Sequence, residues 1–416
     1  MMLFIPEIID QHAEESSFLW LLRNAAVGEP HYRLADLAQL DERVEANLDG
    51  LRIAGERGWT TCSQAMGIGE PGEVFAAGVL AFEAKVPERM DAVLAAVVKS
   101  PELQSALCSA LGWIDFALIA DAANKMLGSD LAFLKRIALS AYAIHRQDPG
   151  PVLAKHILHD DPGVRSRALK AAGELGRLDL LPLALECLGD GDDKCRFYAA
   201  WSATLLGDAA GLDILKTFVQ DRSVYATRAC DLVVRKMNPA DALGWLNALA
   251  RQEETITAAI QACGALGDPQ AVDWLMGMMH NPELARRAGE AFSMMTGADI
   301  ALEDLEGERP EAFASGPTED PGDEDVDPDP DEDLPWPEPD LVRKWWDDMK
   351  GRFRGGERYL AGKPVSLEIC SNILAGGFQR QRTAAALEIA MMTAGRPLFE
   401  TRAPGFLQQS RLGAGR

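Results

Sequence analysis

Histidine is scarce in this chain, with six among 416 residues, and only His156 and His159 stand close together. No C-x-x-C pair, H-E-x-x-H helix or G-x-S-x-G elbow occurs, which removes the common zinc, metalloprotease and serine-hydrolase signatures. Positive charge is short too. Against 64 Asp and Glu stand 41 Lys and Arg, a net charge of -23 that argues against a generic nucleic-acid binder and against anionic membranes. The seven cysteines form an odd set beside apolar residues at helical spacing, and they read as reduced core thiols. No apolar run approaches membrane-spanning length, and residues 1–7 lack a basic region, so a cytoplasmic location is expected. No alternating strand pattern bounded by turn dipeptides appears.

What is present is a phrase that returns about every 30 residues, the spacing of stacked helical hairpins. In its clearest copy Asp161-Pro162-Gly163-Val164-Arg165 leads into Ala168, Ala172, Leu175 and Gly176, and the frame recurs at Asp193, Arg196, Ala199, Leu206 and Gly207. Small residues fall at Ala168, Ala199, Ala229, Ala259 and Gly289, where neighbouring helices have to approach closely. Ser100-Pro101-Glu102-Leu103 and Asn281-Pro282-Glu283-Leu284 repeat one start signal: a capping side chain, Pro in the first position, then a carboxylate at the positive end of the dipole. The expected fold is all-α, a right-handed α-solenoid of helical hairpins.

Four regions are expected. Residues 1–70 carry one long amphipathic stripe through Leu34, Leu37, Leu40, Val44, Leu48 and Leu51 and read as an atypical helical cap. Residues 71–300 form the array, with hairpins near 72–98, 101–127, 130–159, 161–189, 192–219, 222–250 and 253–280 and a last helix near 283–297. Residues 301–340 form an acidic, Pro-rich linker; within it 319–340 hold 12 acidic residues and six prolines, too little apolar surface to offset ordering, so disorder is expected. Residues 341–416, with 13 Lys or Arg against six Asp or Glu, form a basic helical unit with helices over 341–354 and 366–392. Its charge of +7 against -30 for the rest makes an intramolecular contact of acidic linker and basic tail one expected mode.

Residues 161–176 resemble a HEAT-like repeat of the short kind also found in phycobilin lyases, a resemblance that extends over the array. It implies that the helix carrying Val164 and Arg165 is an inner one, whose exposed side lines a concave groove. Residues 40–46, 48–55 and 345–404 resemble an uncharacterised family of bacterial HEAT-repeat proteins often encoded near type VI secretion genes. That resemblance implies a partner-binding accessory role. Some HEAT-like enzymes bind iron through repeated His-Glu dipeptides, and none occurs in this sequence.

Candidate chemistry is thin. Gly67-Ile68-Gly69-Glu70-Pro71-Gly72 has the letters of a dinucleotide fingerprint but follows no convincing strand, so it reads as an inter-helix loop. Gly362-Lys363 lacks the Ser or Thr a P-loop needs, since Pro364 follows. His156 and His159 share a helix face and are the nearest approach to a metal pair, without a third or fourth ligand in view. Arg165 and Arg196 recur at the repeat distance and either line a groove for carboxylates or phosphates or tie repeats together through an Asp such as Asp161 or Asp193. Trp336, Arg343 and Lys344, beside Trp345 and Trp346, form a candidate partner anchor; of the three tryptophans only Trp336 is expected to be free. The expectation is a non-catalytic scaffold without cofactor that grips another protein, the alternative being a HEAT-like enzyme or ligand carrier of lyase or metal-dependent type.

Overall fold

The structure, a computed structural model, describes residues 5–310, 313, 329 and 331–413. The chain folds as two compact units, Met1–Ser202 with Gly395–Arg416, and Ala203–Ala394. In the first, α1 (Pro6–Ala26), α2 (Leu34–Ala54) and α3 (Glu56–Ala65) precede four hairpins: α4 (Pro71–Ala84) with α5 (Pro87–Lys99), α6 (Gln104–Trp113) with α7 (Phe116–Leu127), α8 (Ala132–Ile144) with α9 (Val152–Ile157), and α10 (Pro162–Glu174) with α11 (Leu181–Glu186). The unit boundary falls inside α12 (Asp193–Leu205). The second unit holds α13 (Leu212–Gln220), α14 (Ala226–Lys236), α15 (Pro239–Leu249), α16 (Glu253–Leu266), α17 (Val272–Met278), α18 (Pro282–Thr296), α19 (Pro339–Met349), α20 (Leu367–Gly376) and α21 (Gln379–Met392). Finally α22 (Gly405–Gly413) packs on α2 of the first unit.

Local chemistry explains where these helices begin. Asp161 caps α10 by accepting from the Val164 amide at 2.8 Å, with Pro162 in the first helical position. Asn281 does the same for α18 through the Glu283 amide at 3.1 Å. Each satisfies a backbone donor that the helix itself cannot. Within the first unit the leading helices stack in series, α4 on α6, α6 on α8 and α8 on α10, and in the second α14 packs on α16 and α16 on α18. The small residues make this possible: Ala168, Ala199, Ala229 and Ala259 are completely buried. Gly173 of α10 likewise lies close to α12, where a Cβ would stand 2.6 Å from Ser202 Oγ.

The all-α expectation and the hairpin positions agree with the structure, apart from one small addition. Tyr359–Leu360 and Lys363–Pro364 pair as a two-residue antiparallel ladder, β1 and β2. It sits where two glycines leave room. The Tyr359 amide donates to the Gly267 carbonyl at 2.9 Å, and the Ala361 and Gly362 amides donate to Met294 and Met295. A Cβ on Gly267 would lie 2.0 Å from the Tyr359 carbonyl oxygen, so this helix end accepts the ladder only as glycine. Gly267 also ends α16 in the left-handed region, at φ 72°. Orphan carbonyls at helix C-termini are thus met by a distant stretch of the same chain.

Residues 341–416, read from sequence as one unit, are divided: 341–394 go with the second unit and 395–416 with the first. The physical reason is again the helix ends. In the first unit the Leu398 amide donates to the Glu174 carbonyl at 2.9 Å, while Arg146 donates to the Leu398 carbonyl and forms an ion pair with Glu400 at 3.2 Å. Much of the expected disordered linker lies outside the described residues. Those described are well tied: within the second unit Arg286 holds Asp329 at 2.6 Å and Arg287 holds Asp331 at 2.5 Å, and the amides of Gly307 and Glu338 donate to the Trp336 and Leu305 carbonyls. Among the described residues no helix is long and apolar enough to cross a membrane.

Candidate functional site

In the first unit α6, α8, α10 and the first part of α12 each turn one face toward a cavity of about 690 Å³. From α6 come Gln104, Ser105, Cys108, Ser109, Gly112 and Trp113; from α8, Arg136, Ser140 and Ile144; from α10, Gly163, Arg167, Lys170 and Glu174; from α12, Lys194 and Tyr198. Arg23 and Asn24 of α1, with Glu400, Arg402, Ala403 and Pro404 of the returning tail, complete the wall. Ser105, Arg136, Arg167 and Tyr198 stand 31 residues apart in turn, as do Gly163 and Lys194. A hairpin array carries the same helical position from one unit to the next, so equal spacing in sequence becomes a row across the wall.

The lining holds six cationic side chains, Arg23, Arg136, Arg167, Lys170, Lys194 and Arg402, against two carboxylates, Glu174 and Glu400. Several are engaged. Arg167 chelates Glu174 through two nitrogens at 2.9 Å and donates to Ser140 Oγ at 3.0 Å. Lys170 lies 3.5 Å from Glu174 and 5.6 Å from the centre of the Tyr198 ring. Arg23 is buried against Asp41. Others keep their charge for the cavity: Arg136 has only Asp161 within reach, at 3.8 Å, and exposed Lys194 makes no ion pair among the described residues. Arg136 lies across Gly163, where a Cβ would crowd its guanidinium to 3.2 Å.

Burial alone would raise the Glu174 pKa, but Arg167, Lys170 and Arg146 outweigh it and hold the carboxyl at about 2. Because this lies below the ordinary value of 4.5, the unfolded chain takes up the proton more readily. The resulting stabilisation is complete above that ordinary value and is lost as the pH falls toward 2. Glu174→Gln should therefore flatten the acid limb of a stability-against-pH curve measured by urea unfolding. A variant keeping the parent slope over that range would remove Glu174 from the account. Burial dominates at Cys108 and pushes its thiol up, although Arg167, Lys170 and Arg136 all pull the other way.

The residues singled out from sequence are placed differently. Arg165 gives its guanidinium to Asp190 at 2.6 and 3.0 Å and to the carbonyls of His159 and Asp160, away from the cavity lining. Arg196 pairs with Asp193 on its own helix and donates to the Asp190 carbonyl at 2.9 Å. Asp190 is therefore the carboxylate that links Arg165 to the next repeat, where Asp161 or Asp193 was expected. Trp336 is not free: its ring centre lies 4.7 Å from the Arg286 guanidinium and 4.9 Å from Phe313. Arg343 pairs with Asp273 at 2.7 Å, and Lys344 is exposed.

The two histidines stack at 6.0 Å, yet each is used locally. His156 Nδ1 meets the Val152 carbonyl at 2.8 Å, and His159 Nδ1 accepts from the Asp161 amide at 3.0 Å. Among the described residues no group of three or more His, Cys, Asp or Glu is placed to hold a metal ion. The glycines at 67 and 69 belong to a turn between α3 and α4, with no strand before it. The cavity residues themselves were missed, although Arg136 and Arg167 repeat at the same period as the Arg165 and Arg196 pair that drew attention.

Comparison with curated proteins finds no match to this chain. Residues 150–231, from the link before α9 to the middle of α14, match the model of HEAT repeats. Over that stretch, which supplies α10 and α12 to the cavity wall, the chain is built of HEAT-like repeats.

Proposed function

We propose that this chain is a non-catalytic scaffold whose first unit grips a segment of another protein in the cationic cavity. The observation that carries the reading is the row of equivalent positions from α6 to α12, which spreads its polar side chains along a mixed wall rather than converging them on one reactive centre. Among the described residues no histidine lines it, the Cys108 thiol is pushed up by burial, and the Ser109 and Ser140 hydroxyls accept from Trp20 and Arg167. A nucleophile paired with a base is the arrangement hydrolytic or transfer chemistry needs, and these side chains do not supply one. HEAT repeats generally mediate protein–protein contact, which supports the same reading.

The resemblance of residues 40–55 and 345–404 to proteins encoded near type VI secretion genes extends the proposal. The partner is then a component or effector of such a system, held in the cytoplasm by an adaptor, chaperone or immunity protein. The test is Ser105→Trp, which fills the cavity from an exposed position of α6. Tagged wild-type and variant chains are used for capture from the native cell, followed by mass spectrometry. A partner held by the wild type and lost by a folded variant supports the proposal; retention of every partner overturns it.

A further inference from the structure

Resting on that reading of the cavity as a partner groove, we infer that its occupant is an extended segment rich in Asp and Glu. The chain as a whole carries -23, yet this wall gathers six cations about two carboxylates. Local concentration of one sign against the global charge selects the opposite sign in a ligand. Arg136 and Lys194 are the side chains with most charge to offer, because one has only a 3.8 Å neighbour and the other no ion pair among the described residues.

Length points the same way. Four helices packed at 8–10 Å intervals span about 30 Å. An extended chain advances about 3.3 Å per residue, so about nine residues would cross the row. A single small anion would meet only one or two of these cations.

The second unit shows the chemistry in use. Asn281 caps α18 as Asp161 caps α10, and Arg287 follows its cap by the same number of residues as Arg167 follows Asp161. On α18 that position is taken by the chain's own acidic stretch: Asp331 on Arg287, with Asp329 and the Asp331 carbonyl on Arg286. Helix arginines at the start of a repeat already hold an Asp-rich segment in this protein. In the first unit the described residues supply no such segment, and Glu174 meets only part of the charge.

A nucleic acid would also bring negative charge, but the groups that the helix arginines of α18 hold are Asp carboxylates on an extended stretch of chain, and that precedent favours an acidic peptide. The test uses the full chain and fluorescence anisotropy of a labelled nonapeptide of alternating Asp and Glu. Its Asn and Gln counterpart, free glutamate as competitor, and a labelled single-stranded oligonucleotide of equal length complete the set. The acidic peptide should bind, should weaken with added salt, and should weaken about tenfold in Arg136→Gln/Lys194→Gln. Arg343→Gln, which lies outside the cavity, should leave it unchanged. Equal binding of the neutral peptide, tighter binding of the oligonucleotide, full competition by free glutamate at peptide concentrations, or no effect of the double variant overturns the inference. The two ideas fail separately: a partner lost in Ser105→Trp but indifferent to the charge substitutions leaves the groove reading standing and removes the acidic ligand.

Discussion

Arg23→Met is expected to lower the stability of the chain by about 3 to 5 kcal/mol in urea unfolding, one of the larger effects available to a single substitution here. Arg23 Nε lies 2.8 Å from Asp41, and the side chains are only 4% and 0% exposed. A second guanidinium nitrogen donates to the Ala403 carbonyl at 2.8 Å, and Asp41 accepts from the Gly405 amide. The pair therefore joins α1 and α2 to the returning tail. Its net worth is another matter: burial raises the Asp41 pKa, and Arg23 with the Gly405 amide only partly offsets it. A buried pair can be nearly neutral in total while the loss of one partner is severe, because the other charge stays behind without compensation.

Asp41 in the variant would then hold its proton still more tightly when folded. With the folded pKa above the unfolded value, the folded state binds more protons between the two, so stability falls as the pH rises through that interval. Arg23→Met should consequently be least damaging in acid, and Arg23→Met/Asp41→Leu should recover most of the loss. A single variant within 1 kcal/mol of the parent, by the same measurement, would show that the pair is not what anchors the tail.

The second large effect is expected at Glu388. This side chain, itself buried, receives Arg358 and stands 3.0 Å from Arg235 Nε, an ion pair without an aligned hydrogen bond. Arg235 is 3% exposed and has Asp231 as its other carboxylate, at 2.9 Å. Arg358 also donates to the carbonyls of Leu266, Ala265 and Arg235, closing the C-terminal ends of α14 and α16. Glu388→Gln keeps the shape but removes the charge shared by two guanidiniums, at a cost of about 3 to 5 kcal/mol. Because Tyr359 follows Arg358 and docks on the same end of α16, hydrogen exchange at the Tyr359 amide should quicken in the variant. Unaltered exchange there would separate the ion cluster from the ladder.

Much of the helical layout was legible because its signals are local. A cap such as Asp161 followed by Pro162 acts within a turn, and buried alanines at the repeat distance need no distant information. The ladder at 359–364 left no trace of that kind: two residues per strand are too few for a pattern, and its hydrogen bonds go to Gly267, Met294 and Met295. The division of residues 341–416 has the same origin, since Leu398 and Gly405 are placed by Glu174 and Asp41 far earlier in the chain. At the cavity the period was readable but the phase was not. Arg165 and Arg167 repeat alike, yet positions two apart on a helix point about 200° apart, and only packing decides which one faces inward. Net charge misled in a further way, by averaging a cationic wall into a strongly acidic whole.

The division of the chain also bears on how it can be made. Residues 395–405 supply backbone partners to Arg23, Asp41, Arg146 and Glu174, and they leave the ribosome only after all of Ala203–Ala394. Ala203–Ala394 is contiguous and can close as soon as it emerges, whereas Met1–Ser202 has to wait for residues 395–405 to supply those backbone partners. Vectorial synthesis thus completes the earlier-made unit after the one inserted into it.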